Sequence, residues 1–206
     1  MENGNESAKV KNEAPSIPGN LAYTVIKKKI PKKSRYDDVY IDTAFADFLW
    51  CIKARSKDIA YPNITGILIE PTKIIATDGH RLHIITNPYP SIPLGEYEVY
   101  GINQSKVILI AIPHSTNSTK FPKWDRPTIT MEGNKPEHEI TINHHHPAYF
   151  YYEILKRRIC NIKYLEDAIS NEPMNVRIYG ENQPVIITTL TRTAIIMPLL
   201  DRRVSW

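Results

Sequence analysis

Cysteine is nearly absent: the 206 residues include two, Cys51 and Cys160. Two are too few for the disulfide framework of a small secreted domain, and both are expected to be buried free thiols. No apolar run at the N-terminus fits a signal peptide, and no run of about 20 apolar residues fits a membrane span. The expectation is a cytoplasmic protein with no membrane partner. Glycine is scarce as well, eight residues against sixteen prolines. That ratio suits a chain of many strand ends and stiff loops better than a helical bundle.

A strong field of one sign is also missing from most of the chain. Residues 1–36 hold eight basic and three acidic side chains, which leaves 18 basic and 19 acidic in residues 37–206. The formal net charge of +4 therefore arises in the N-terminal arm. No glycine-rich phosphate loop, nucleophile elbow or His-Glu-x-x-His pair occurs. What is present is an ordinary globular share of apolar residues, 42%, enough for the core of one domain or two small ones.

Residues 1–36 are expected to form a disordered basic arm, although the stretch that includes Lys27, Lys28, Lys29, Lys32 and Lys33 also fits an edge strand. Such an arm suits phosphate contact or plain solubility equally. The body, 37–206, begins with a strand at "DDVYID". Asp42 or Thr43 then fits the cap of a helix, "TAFADFLWCIKARSKD", whose Phe45, Phe48, Leu49 and Ile52 make one apolar stripe. "TGILIEP", "KIIAT" and "HRLHIIT" read as strands, with Asp78-Gly79 as a two-residue hairpin turn. A variable middle, 87–135, contains "EYEVYGI" as a strand and "KVILIAI" as a strand or a buried helical segment.

The first pattern then returns. "HEITIN" is a strand, "HHHPAYFYYEILKRRICN" a helix with Pro147 in its first turn, and three strands follow in "NVRIYGE", "PVIITTL" and "TAIIMPLL". A strand–helix–three-strand order at about 38–86 and again at about 138–200 predicts an α+β fold, with two helices on one side of antiparallel sheets.

The seven histidines do not make a metal site by spacing: His144, His145 and His146 are consecutive, and His80 and His83 fall on opposite faces of a strand. No cofactor is expected. Asp78, Glu70 and Asp125 are the carboxylates a small DNA-cleaving enzyme would use, but turn chemistry accounts for Asp78 more simply. Tyr149 to Tyr152 beside a basic run invite nucleic-acid stacking, with core packing the better fate for Phe150. Both helices end basic, at Lys53, Arg55 and Lys57 and at Lys156, Arg157 and Arg158. Side by side, those ends would give one positive surface for phosphates without base readout.

"NITGILIEPTKIIATDGHRLHII" resembles the bacterial sliding clamp, the β subunit of DNA polymerase III, whose hairpin carries the run reproduced at Ala76 to Leu82. "FPKWDRP" is similar to that family's Phe-Pro segment, and "TAIIMPLL" to its closing strand with a Met-Pro step. The resemblance implies a non-catalytic clamp-like domain, a short member of a family whose subunits ordinarily have three. It implies a homo-oligomeric processivity or tethering factor. Helices would face non-specifically bound double-stranded DNA, and a polymerase or repair protein would insert a short linear peptide into an outer cleft. Carried over, Thr77, Gly79, His80, Arg81 and Leu82 would line that cleft, with Ile64 as its floor and Ile196, Met197 and Pro198 as the opposite wall. The alternative is a clamp-fold adaptor that forms no ring and binds partner proteins only.

Overall fold

The computed structural model describes residues 24–26, 40–43, 46–86, 94–102, 107–111, 120–125, 134–143, 147–180 and 182–199. Its centre is an antiparallel sheet of eleven strands. In chain order these are β1 (Thr24–Ile26), β2 (Tyr40–Thr43), β3 (Ile67–Ile69), β4 (Lys73–Thr77), β5 (Arg81–Thr86), β6 (Gly95–Ile102), β7 (Val107–Ala111), β8 (His138–Ile142), β9 (Met174–Ile178), β10 (Val185–Thr188) and β11 (Arg192–Ile196). Across the sheet they lie β1-β2-β7-β6-β3-β4-β5-β11-β10-β9-β8. The helices are α1 (Ala46–Cys51), α2 (Pro147–Leu155) and α3 (Ile162–Ala168).

Alternation along the strands sorts side chains into two layers. Ile74, Ala76 and Ile85 join Val176, Ile178, Val185, Ile187, Ala194 and Ile196 under the helices, where they meet Phe48 and Trp50 of α1, Phe150 and Ile154 of α2, and Leu165 of α3. Ile75, Leu82, Ile84, Ile186 and Ile195 face the other way, against Phe121 and Trp124. β5 is buried on both faces over Arg81–Ile85, as a central strand must be, whereas β9 alternates buried and half-buried residues.

The first half runs strand, helix, three strands, whereas the second has two helices, α2 and α3, between β8 and its last three strands, and the two halves are also paired differently. β8 bonds directly to β9, so the second half is a four-stranded meander. In the first half the β6–β7 hairpin stands between β2 and β3. "KVILIAI" is accordingly a strand, with Val107–Ala111 paired on both edges.

Three expectations change in detail. Thr24–Ile26, inside the expected arm, form the edge strand β1 against β2; the rest of residues 1–36 lie outside the described residues. The first helix is shorter than its apolar stripe suggested, because Asp42 and Thr43 are ladder residues opposite Ile108 and Val107 and so do not cap it. It gives way after Cys51 to one 3-10 turn, Ile52–Ala54, and at Arg55 the chain is extended. Finally, α3 occupies what reads as a polar connection. Asn161 caps it, its side chain accepting from the Lys163 N–H.

Cys51 and Cys160 are buried free thiols, and burial pushes both thiols up in pKa. Among the described residues no helix is long and apolar enough to cross a membrane.

Candidate functional site

The hairpin between β4 and β5 is built by one aspartate. Asp78 Oδ1 accepts from the N–H groups of His80 and Arg81, both at 3.0 Å. Gly79 follows with φ +89°, a conformation that favours glycine. The Thr77 hydroxyl donates to the Arg81 carbonyl at 2.6 Å and accepts from the Gly79 N–H at 3.1 Å. Thr77 pairs with Leu82, so Gly79 and His80 are the central turn residues, one position beyond the expected Asp78-Gly79.

The same turn anchors a buried charge cluster. Arg81 Nε donates to Asp78 Oδ2 at 3.0 Å and Nη1 to Asp167 Oδ2 on α3 at 2.7 Å. Its Nη2 donates to the Lys53 carbonyl, and the guanidinium lies 4.3 Å from the centre of the Tyr164 ring. Burial would raise the pKa of Asp167, but hydrogen bonds and charge from Arg81 and Lys163 outweigh it and hold the carboxyl below the usual range. Arg81 is 8% exposed. It is a clasp between the hairpin, α3 and the turn after α1, not a free group at a rim.

Two residues along β5, His83 stacks on Trp50 with ring centroids 4.1 Å apart. Its Nδ1 is 3.0 Å from the Trp50 carbonyl, which only accepts, so the ring proton sits on Nδ1. Nε2 is buried with no hydrogen-bond partner among the described residues. Burial pulls the pKa down to about 3, against the opposing effect of the Trp50 carbonyl. A folded-state value below the unfolded one means the unfolded chain takes up a proton that the folded chain refuses. Stability should therefore be full above about pH 6.5 and fall as pH drops toward 3, by up to roughly 1.4 kcal/mol per pH unit. Urea unfolding between pH 7 and 4.5 measures this. His83→Phe should flatten that part of the slope, and an unchanged slope in the variant would assign it elsewhere.

The remaining cleft candidates are brought together at the backbone. β11 pairs with β5 so that Ile196 faces Arg81 and Ile195 faces Leu82. Beyond the ladder, the Met197 N–H donates to the His80 carbonyl at 2.9 Å. The side chains, however, divide. Leu82 is in the outer layer and Ile196 under the helices. Gly79, His80 and Met197 are exposed at the tip, and Pro198 is half-buried. Ile64 is half-buried in a 3-10 turn, Pro62–Ile64, not on a strand.

Two apolar residues missing from the expected set stand beside this junction. The Leu199 N–H donates to the Ile159 carbonyl at 2.7 Å, and both side chains are more than half exposed. Leu199 was legible as the residue after the Met-Pro step. Ile159, alone between Arg158 and Cys160, carried no periodic signal.

The six basic candidates differ in freedom. Arg55 is drawn onto the Ser56 and Thr65 carbonyls. Arg157 pairs with Glu153, and Arg158 with Glu137 and the Tyr179 carbonyl. Lys156 also pairs with Glu153 and lies 4.6 Å from the Tyr152 ring centre, yet its side chain stays 34% exposed. Lys53 and Lys57 are exposed. All six follow α1 or α2 in the chain, and both helices pack on one face of the sheet. No group of three or more metal-ligating side chains occurs among the described residues, and His144 to His146 lie outside them. Glu70 receives the Trp124 indole N–H at 3.2 Å, and Asp78 is committed to the turn and to Arg81.

An antiparallel sheet with its helices on one face, closed in the middle by the Ala-Thr-Asp-Gly-His-Arg-Leu hairpin against a Met-Pro strand, defines an α+β fold of the DNA-clamp class. Solved sliding-clamp structures share it. The DNA polymerase III β subunit of Borrelia burgdorferi superposes with a TM-score of 0.50 at 10% identity, over 78% of this chain and 64% of that one. The β subunit of Thermotoga maritima does so with 0.50 at 11% identity, over 85% and 70%. The chain thus spans about two thirds of the length of the clamps it resembles. No protein-family model matches the chain, and no curated protein matches its sequence.

Proposed function

We propose that the protein is a non-catalytic, clamp-like tether on DNA, which binds the duplex without sequence preference and holds a polymerase or repair protein through a short peptide. The observation that carries this reading is the junction of the hairpin with the Met-Pro strand within a clamp fold, at the Arg81–Ile196 pair and the His80–Met197 hydrogen bond. The peptide site consists of the exposed tip, Gly79, His80 and Met197, extended by Ile159 and Leu199. Apolar side chains there supply burial, and turn backbone orients an incoming chain. Arg81 supports the site from beneath. Thr77, Leu82 and Ile196 shape it through the hairpin and the strand beside it, with Pro198 just beyond that strand and Ile64 contributing from the 3-10 turn that precedes β3.

Duplex DNA is met by the helix layer, chiefly through Lys53, Lys57 and Lys156, with Arg55, Arg157 and Arg158 adding field from their pinned positions. Encirclement requires several copies of the chain, a homo-oligomer. A clamp-binding peptide is expected to bind saturably, and Met197→Ala with His80→Ala to weaken it about tenfold or more, the loss of one well-buried contact. Duplex affinity should fall steeply with salt, and each of Lys53→Ala, Lys57→Ala and Lys156→Ala should reduce the log–log slope by about 0.9. Salt-independent duplex binding, or slopes unmoved by all three changes, would refute the DNA surface. Solution mass with and without duplex separates a ring from an adaptor: a monomer in both states means the protein does not encircle DNA.

A further inference from the structure

The outward stripe of α2 is unusual for a solvent-facing helix. At 100° per residue, Tyr149, Tyr152 and Lys156 fall within one narrow arc. Phe150 and Ile154 point the opposite way, into the core, at 1% and 0% exposure. Tyr149 is 48% exposed and Tyr152 62%. An outward helix face ordinarily carries charged side chains; here two aromatic rings stand one turn apart, with a lysine a further turn on.

The charged side chains of the helix segment itself are mostly basic. Residues 147–158 hold a single carboxylate, Glu153, against Lys156, Arg157 and Arg158. Glu153 is 7% exposed and is shared by Lys156 and Arg157, and Arg158 is paired with Glu137, so Lys156 is the most exposed cation of the segment. Lys156 already lies over the Tyr152 ring at 4.6 Å, which holds the ammonium beside the aromatic face without hiding it. Rings that stack and cations that neutralise phosphate are together the requirement for binding an unpaired strand. A duplex, its bases stacked on one another, offers only phosphates to such a stripe.

We propose that the Tyr149–Tyr152–Lys156 stripe binds single-stranded DNA by stacking unpaired bases on the two tyrosine rings. The inference rests on the reading that the helix layer faces DNA, and it adds a preference for unpaired segments to the duplex contact. Bases account for the tyrosines, as phosphates account for Lys156 and the arginines that follow it.

The test compares fluorescently labelled oligo-dT with an abasic deoxyribose-phosphate strand of equal length and charge, and with duplex. Oligo-dT is expected to bind roughly tenfold more tightly than the abasic strand. Tyr149→Ala with Tyr152→Ala should abolish that difference and leave duplex affinity unchanged; Tyr149→Phe with Tyr152→Phe, which keeps the rings, should retain it. Circular dichroism of each variant verifies the fold, which these exposed positions do not support. Equal affinity of the native chain for dT and abasic strands overturns the proposal, and so does a dT preference that survives the double alanine change. Duplex binding is a separate readout: its absence alongside a dT preference removes the tether reading and leaves the single-strand site standing.

Discussion

Replacing Arg81 by alanine is expected to cost the fold roughly 3 kcal/mol, within the range for breaking a buried ion pair from one side. Arg81 holds Asp78 at 3.0 Å and Asp167 at 2.7 Å, and both carboxylates are largely shielded, at 14% and 11% side-chain exposure. Without the guanidinium, two nearly dry negative charges face each other across the hairpin–α3 seam. Lys163 stays 3.2 Å from Asp167 and keeps the cost from the top of the range. Asp167→Asn relieves one of the stranded charges, so Arg81→Ala with Asp167→Asn should be less destabilised than the two single losses added together. Urea unfolding of the four proteins gives the coupling directly. A single Arg81→Ala change within about 0.5 kcal/mol of the native chain would mean the clasp contributes nothing. The carboxyl of Asp167, held below its ordinary pKa, adds stability that is present above that ordinary value and lost as pH falls below it. Acid should therefore loosen the clasp, and Arg81→Ala should weaken that response, Lys163 remaining beside the carboxylate.

Gly66→Ala is expected to be as damaging by a different route. A Cβ at residue 66 would stand 2.2 Å from the Tyr97 carbonyl oxygen and 3.1 Å from the carbonyl carbon. Both are backbone atoms of β6, so no side chain can swing aside. β3 pairs with β6 at Ile67–Tyr97, the next residue along. Through that pairing the β6, β7, β2 and β1 strands join the rest of the sheet. Pushing the strands apart costs about 3 kcal/mol, the upper end for overpacking a tight core. The expected result is a lowered urea midpoint, with early proteolysis in β6 and β7. Native-like stability in Gly66→Ala would show that the strands separate without penalty.

Much of this was written in local patterns. The β4–β5 hairpin, the strand character of residues 174–196, the burial of Phe48, Phe150 and Ile154 and the free thiols follow from apolar periodicity, Asx-turn chemistry and cysteine number. The helices were less legible at their ends. α1 stops after Cys51 although helix-forming residues continue, because in the tertiary structure Arg55 spans to the Thr65 carbonyl and the Ser56 N–H bonds the Ile64 carbonyl at 2.8 Å. α3, seven residues long, was hidden by its brevity, though Asn161 followed by Ile162 and Leu165 was a readable cap and stripe.

By itself, the sequence determined the hairpin, its kinship in pattern with clamp hairpins, the layering of apolar strands and the basic ends of two helices, all of which depend on residues within a few positions of one another. Only the tertiary structure decided what Arg81 does. Its partners lie 3, 28 and 86 residues away, and no local rule indicates that a charged turn residue will be buried by a helix so distant in the chain. The same holds for the junction at His80 and Met197, made by a strand pairing across more than a hundred residues, and for the two tyrosines of α2. Their outward direction was set when Phe150 and Ile154 took the core.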